Sequence, residues 1–175
     1  ATVFFGNNDG HIHSLDMNGT PLPGWPVIMS GDIEGSVVFS DLDGNGEAEV
    51  IAASNFGELG AFYLDGSPYP YFPISNGSPF KGSPLIIDLD DDDDLEIIGG
   101  SANNLAVIDV KENGGSDNYW HIFRGNNLRN GFTVLGDSEC GANLGDVNGD
   151  NEINILDLVQ IANFILEVST PEFEC

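Results

Sequence analysis

The chain has 175 residues, 41% of them hydrophobic, enough for one sizeable core or two small ones. Its 29 acids face four bases, Lys81, Lys111, Arg124 and Arg129, for a formal net charge of -25. That balance excludes a nucleic-acid surface, which must be basic, and argues against anionic lipid, while no apolar run reaches transmembrane length, so no membrane insertion is expected.

Taken in chain order, TVFFGN, HIHSLDM and WPVIM read as short strands, rich in β-branched and aromatic residues and separated by Gly/Asn turns. SVVFSDL, EVIAAS, GAFYLD and the proline-broken YPYFPI follow, then SPLIIDL, EIIGGS, LAVIDV and, after an irregular NGGSDN turn, YWHIFRG. The prolines place each fourth strand at a sheet edge. Gly35 to Ser54 aligns without a gap on Gly82 to Ser101, at an offset of 47 residues. The same offset carries NGTPLPGWPVI onto DGSPYPYFPIS and ATVFFGNNDG onto AEVIAASNFG. A period of this size with four strands per repeat is the arithmetic of a propeller blade. The expected fold is therefore mainly β: a partial β-propeller of about three four-stranded blades over residues 1–135. The first blade lacks its first strand. Closed propellers have four or more blades, so further blades are expected from upstream sequence or from another chain. The chain has no signal peptide and reads as a mature or trimmed piece of a longer protein.

Two acidic loops interrupt the repeats at equivalent positions. Counting from Asp41, side-chain oxygens fall at places 1, 3, 5 and 9: Asp41, Asp43, Asn45 and Glu49. In the second repeat these places hold Asp88, Asp90, Asp92 and Glu96. Place 7, Glu47 or Asp94, would offer its backbone carbonyl. Alternate residues converge only if the backbone winds around a point, and a hard cation with six to eight oxygen ligands rewards that winding. Magnesium, which prefers few carboxylates and keeps its waters, fits less well than calcium. The bland alternative is a solvated acid run, yet such blocks are usually tails rather than turns between strands in register.

DLDGNGEAEVIAAS and DLDDDDDLEIIGGS resemble the calcium loops of FG-GAP/VCBS repeats, the blades of integrin-α-type propellers. DGHIHSLDMNGTPLPGWPV is also similar to those repeats. The departure is Asp91 and Asp93, where the first loop has Gly44 and Gly46.

Residues 136–175 change pattern. Asp146, Asn148, Asp150, Glu152 and Asp157 occupy places 1, 3, 5, 7 and 12 of an EF-hand-type loop. Asn151 stands where glycine is usual and tolerates the left-handed turn. A helix is expected from about Ile155, with a narrow polar stripe of Asp157, Gln160, Asn163 and Glu167. LGDVNGDNEINILDLVQIANFILE resembles one half of a type I dockerin, the module that binds cohesins; aspartate at place 12 is typical of it. The resemblance implies a small C-terminal α module of calcium loop and helix, and places partner recognition at Ile155 and Leu156. Many type I dockerins carry small hydroxyl residues there, and dockerins normally have two such halves where this chain has one. Docking to a cohesin-like protein is one reading; a calcium-stapled structural appendage is the other.

Calcium use points to a secreted, extracellular or cell-surface setting, where Cys140 and Cys175 can form a disulfide worth roughly 3–4 kcal/mol. The alternative is two free thiols. Three calcium ions in all would bring the formal charge from -25 to about -19.

Other candidates carry less. His11 and His13 alternate on one strand face and suit either a metal or a plain surface. Trp25, Phe72 and Trp120 recur at similar places in the repeats, which suits core packing better than a sugar platform. Asn18 and Asn76 head glycosylation-type tripeptides that also suit turns. No GxSxG, HExxH or phosphate-cradling glycine loop occurs, so no catalytic residue is assigned. The sequence thus reads as a non-catalytic, calcium-stabilised binding or anchoring module of a larger secreted protein. The competing readings are an accessory fragment of a secreted hydrolase and an adhesion propeller that binds glycan or protein.

Overall fold

The structure, a computed structural model, describes residues 2–116, 119–126, 128, 129 and 131. The chain divides into two units, Ala1–Thr133 and Val134–Cys175, and the fold described is that of the first. It is mainly β, and no helix occurs among the described residues.

Three antiparallel sheets follow one another along the chain. The first is β1 (Thr2–Gly6), β2 (His11–Asp16) and β3 (Val27–Ile28). The second is β4 (Val38–Ser40), β5 (Glu49–Ala53), β6 (Glu58–Phe62) and β7 (Ile74–Ser75). The third is β8 (Leu85–Ile87), β9 (Asp94–Gly100) and β10 (Leu105–Asn113). Each strand pairs with its sequence neighbour, so every sheet is a meander. The short outer strands have a local cause: Pro26 and Pro73 precede β3 and β7, and a proline cannot donate to a ladder. Pairing there is confined to two residues, as in His11 with Ile28 and Leu59 with Ile74.

The sheets stack through two apolar layers. Ile12, Trp25, Val27 and Met29 of the first sheet region pack with Val50, Ala52 and Phe62 of the second. Val38, Ile51, Ala53, Leu59 and Ala61, on the opposite face of the second sheet, pack with Phe80, Ile86, Leu95, Ile97 and Val110. The middle sheet is therefore covered on both faces, and every residue of β5 is buried. This explains why VIAA, after the buried Glu49, reads as a continuous apolar run and not as an alternating one. Phe4 meets Trp25 and Phe39 edge-on at 5.2 Å each, and the Trp25 indole N–H donates to the Leu64 carbonyl at 2.8 Å. That bond satisfies the polar end of the largest buried ring. Trp25 thus serves the core, as its place in the repeat suggested.

One expected strand does not form. YWHIFRG reads as the fourth strand of the third sheet, but that sheet ends at β10. Instead the chain turns back toward the first strands of two sheets. Trp120 O accepts the Phe39 N–H and His121 O accepts the Ile86 N–H, each at 2.9 Å. The cause lies in the preceding residues. β10 changes register between Val110 and Asn113, and Gly114 then passes so close to Asp41 that a Cβ there would lie 2.5 Å from its carbonyl oxygen. The repeat thus breaks where two glycines let the backbone cross to a neighbouring sheet.

Ile51 is fully buried between the second and third sheets. Ile51→Ala is expected to lower unfolding free energy by about 2–5 kcal/mol, because the stack cannot collapse into the cavity. Leu105→Ser, on an exposed position of β10, should change it by less than about 0.5 kcal/mol. Urea unfolding curves of the two variants check both values.

Candidate metal centre

Each acidic loop joins the first two strands of its sheet, β4 to β5 and β8 to β9. In the first loop Asp41 folds the turn around its own carboxylate. Its Oδ1 accepts from the Asn45 N–H at 3.0 Å and its Oδ2 from the Gly46 N–H at 2.8 Å. Asp43 Oδ1 also accepts from Asn45, at 3.3 Å, and Asn45 Oδ1 from the Glu47 N–H at 2.6 Å. Glu49 closes the loop from β5, its Oε2 accepting the Leu42 N–H at 2.6 Å. Carboxylate oxygens of Asp41, Asp43 and Glu49 come within 4.8 Å of one another.

The second loop repeats this design. Asp88 Oδ1 accepts from the Asp91 N–H at 2.7 Å and from Asp92 at 3.3 Å, and its Oδ2 from Asp93 at 3.2 Å. Glu96 Oε2 accepts the Leu89 N–H at 2.6 Å. Asp91 and Asp93 have φ of 60° and 69°, matching Gly44 at 68° and Gly46 at 87°. The substitutions that set the second loop apart therefore keep its path, since aspartate tolerates the left-handed region. Both side chains are exposed.

The carboxylates of the second loop fall into two groups that share Glu96: Asp88 with Asp90, and Asp92 with Asp94. Asp92 and Asp94 face a cation that the sequence reading did not use. Lys111 Nζ on β10 lies 3.3 Å from Asp94 Oδ2 and 3.7 Å from Asp92 Oδ2, and it also pairs with Asp109. Hydrogen bonding to Asp109 leads the causes that raise the Lys111 ammonium above the usual lysine value. The Asp94 side chain, from which only a backbone carbonyl was expected, is buried among these groups. It is drawn in because β9 begins at Asp94, whereas β5 begins at Glu49. A signal was available: Lys111 is one of only four bases in the chain.

These clusters could hold a cation, and their electrostatics favour one. Two carboxylates at such separations repel by roughly 3–4 kcal/mol at an effective dielectric of 20. Glu49 is fully buried, and its Oε1 has no hydrogen-bond partner. Burial raises its pKa to about 7; the charges of Asp43 and Asp41 add to the rise, and the Leu42 N–H opposes it. Desolvation likewise raises Asp90 and Asp94, whereas the Asp94 backbone N–H lowers Asp92. A buried acceptor without a donor is costly, and a hard divalent cation satisfies it while reversing the repulsion. The donor set, all oxygen and mostly carboxylate, is the kind calcium takes.

The histidines do not join these groups. His13 stacks on Phe5 at 4.9 Å and on His11 at 5.9 Å, and no histidine belongs to a metal-type cluster among the described residues.

The remaining candidates, Asp146, Asn148, Asp150, Glu152, Asp157, Ile155, Leu156, Cys140 and Cys175, lie outside the described residues. Residues 144–174 match the family model of the Dockerin type I domain, which takes in all of these except the two cysteines. No curated protein matches the chain.

Glu49→Gln keeps an acceptor for Leu42, places an amide beside Asp41 and Asp43, and removes one of three crowded charges. In EDTA this variant is expected to unfold at a higher temperature than the parent protein, while its gain on adding calcium is smaller. Thermal melts of both proteins in the two buffers check the paired change.

Proposed function

We propose that the chain is a non-catalytic, calcium-stabilised module of a larger secreted or cell-surface protein, and that its C-terminal part docks to a cohesin-like partner. The observation that carries this reading is the Dockerin type I match over residues 144–174. Dockerins bind cohesins and typically hold calcium. In the matched stretch the calcium ligands are Asp146, Asn148, Asp150, Glu152 and Asp157, with partner contact at Ile155 and Leu156. A Cys140–Cys175 disulfide closes this part.

In the sheet region the same role falls to Asp41, Asp43, Asn45, Glu47 and Glu49 in one loop and to Asp88, Asp90, Asp92, Asp94 and Glu96 in the other. Each ion neutralises a set of carboxylates and pins the turn between the first two strands of a sheet. The unpartnered, buried Glu49 oxygen supports this directly. The mechanism is structural, with three calcium sites and no reacting substrate.

The sheets themselves are FG-GAP-like propeller blades. Equivalent residues of consecutive repeats converge ahead of β4 and β8. The Ser36 N–H donates to Ser83 Oγ at 2.8 Å, and Lys81 Nζ lies 3.2 Å from Glu34 Oε1. In both pairs the partners are 47 residues apart. Contacts between equivalent positions at one end of each sheet are what rotation about a common axis produces. The end faces support further blades. Val3 and Phe5 are 52% and 41% exposed, whereas their repeat equivalents Val50 and Ala52 are fully buried against the preceding sheet.

Thermal unfolding with calcium and with EDTA tests the ion's role. A site held at 100 times its Kd adds about 2.7 kcal/mol, so the midpoint in calcium is expected to be clearly higher. An unchanged midpoint would exclude structural calcium. Cohesin pull-down tests docking: the parent chain is retained in calcium and released in EDTA, while Asp146→Asn is not retained.

A further inference from the structure

The two acidic loops of the sheet region are tied to the same part of the chain, residues 111–116 with Tyr119. β10 pairs regularly with β9 as far as Val110, and the register then shifts before Asn113 meets Asp94. An irregularity of this kind re-aims a strand. On the side of the second loop, Lys111 holds Asp92 and Asp94, and Asn113 Nδ2 donates to the Asp93 carbonyl at 3.1 Å. On the side of the first loop, the Gly115 N–H donates to Asp41 O at 2.7 Å, and Gly115 O accepts the Asp41 N–H at 3.1 Å. Ser40 Oγ donates to Gly115 O at 2.8 Å, and the Tyr119 hydroxyl to Gly46 O at 3.3 Å. The Asn113 carbonyl oxygen itself presses on the first loop, 2.5 Å from where a Cβ on Gly44 would stand. Asn113 therefore touches both loops, at place 6 of one and place 4 of the other.

We propose that this strap couples the two loops, so that a cation bound at either one raises the affinity of the other. The inference rests on the calcium reading above. Its anchors are backbone atoms of Asp41, Gly46 and Asp93, inside the turns that a bound ion would fix. Without an ion, repulsion among the carboxylates loosens a turn and the strap loses its hold there. An ion at one loop orders the strap, and the second ion then meets a turn already in place. Linkage requires the same coupling factor in both directions.

The full chain carrying Asp146→Asn, which silences the C-terminal loop, isolates the two sites. Terbium luminescence sensitised through Tyr119 reads the first loop. Disabling the second loop with Asp88→Asn and Asp90→Asn is expected to weaken terbium binding at the first about fivefold or more. Adding Asn113→Ala, which removes no ligand, should abolish that effect. Calorimetry with calcium on the unmutated loops supplies a readout that does not depend on those variants folding: a cooperative two-ion isotherm that Asn113→Ala converts to independent binding of the same two ions. Two ions bound independently in the parent chain would overturn the coupling while leaving the calcium reading intact. Absence of ion binding at both loops would overturn both.

Discussion

The structure turns on one unfavourable placement. Glu49 is buried at the start of β5 with one oxygen unpaired and two further carboxylates close by. Left alone, that arrangement opposes the fold, because burial and like charge both penalise the ionised form. It persists at the point where β4 turns into β5, the first two strands of the middle sheet. Glu96, the third residue of β9, is likewise buried, and it bonds Leu89 as Glu49 bonds Leu42. A cation bound at these clusters would answer the charges and fix each turn.

The apolar layers and the loops depend on each other. Leu42 is fully buried in the layer between the second and third sheets, and its backbone N–H is the donor to Glu49. Leu95 is buried in the same layer, between Asp94 and Glu96. Loosening either loop would therefore disturb core side chains and not only surface charge. The strap adds a second tie, since Lys111, Asn113, Gly115 and Tyr119 between them reach both loops, and Trp120 and His121 bond β4 and β8.

Much of this was legible in the sequence, for physical reasons. The repeat offset placed the strands because strand, acidic turn and strand recur with the same residue types, and β-branched runs between glycine and acid turns leave few alternatives. The first sheet is β1-β2-β3, and β1 (Thr2–Gly6) stands 47 residues before β5 (Glu49–Ala53), in line with the repeat offset. Glycine at place 6 signalled a left-handed turn in the first loop, which Asp93 repeats in the second, and the structure adds the same conformation at Gly44 and Asp91. Other features were not legible. The departure of residues 114–121 from the repeat depends on Gly114 passing close to Asp41, a long-range contact with no local signature. Of Lys111 only its rarity as one of four bases was legible, because its three carboxylate partners are assembled only by the pairing of β9 with β10. The burial of the Asp94 side chain likewise follows from where β9 starts, one of the details that repeat arithmetic leaves open.

The most direct test of the cation account is a count of bound ions by native mass spectrometry of the full chain after dialysis against calcium. Three calcium ions are expected on the parent chain. One is expected on a variant carrying Asp41→Asn, Asp43→Asn, Asp88→Asn and Asp90→Asn. The same ion count on parent and variant would contradict the assignment of the two sheet loops as calcium sites.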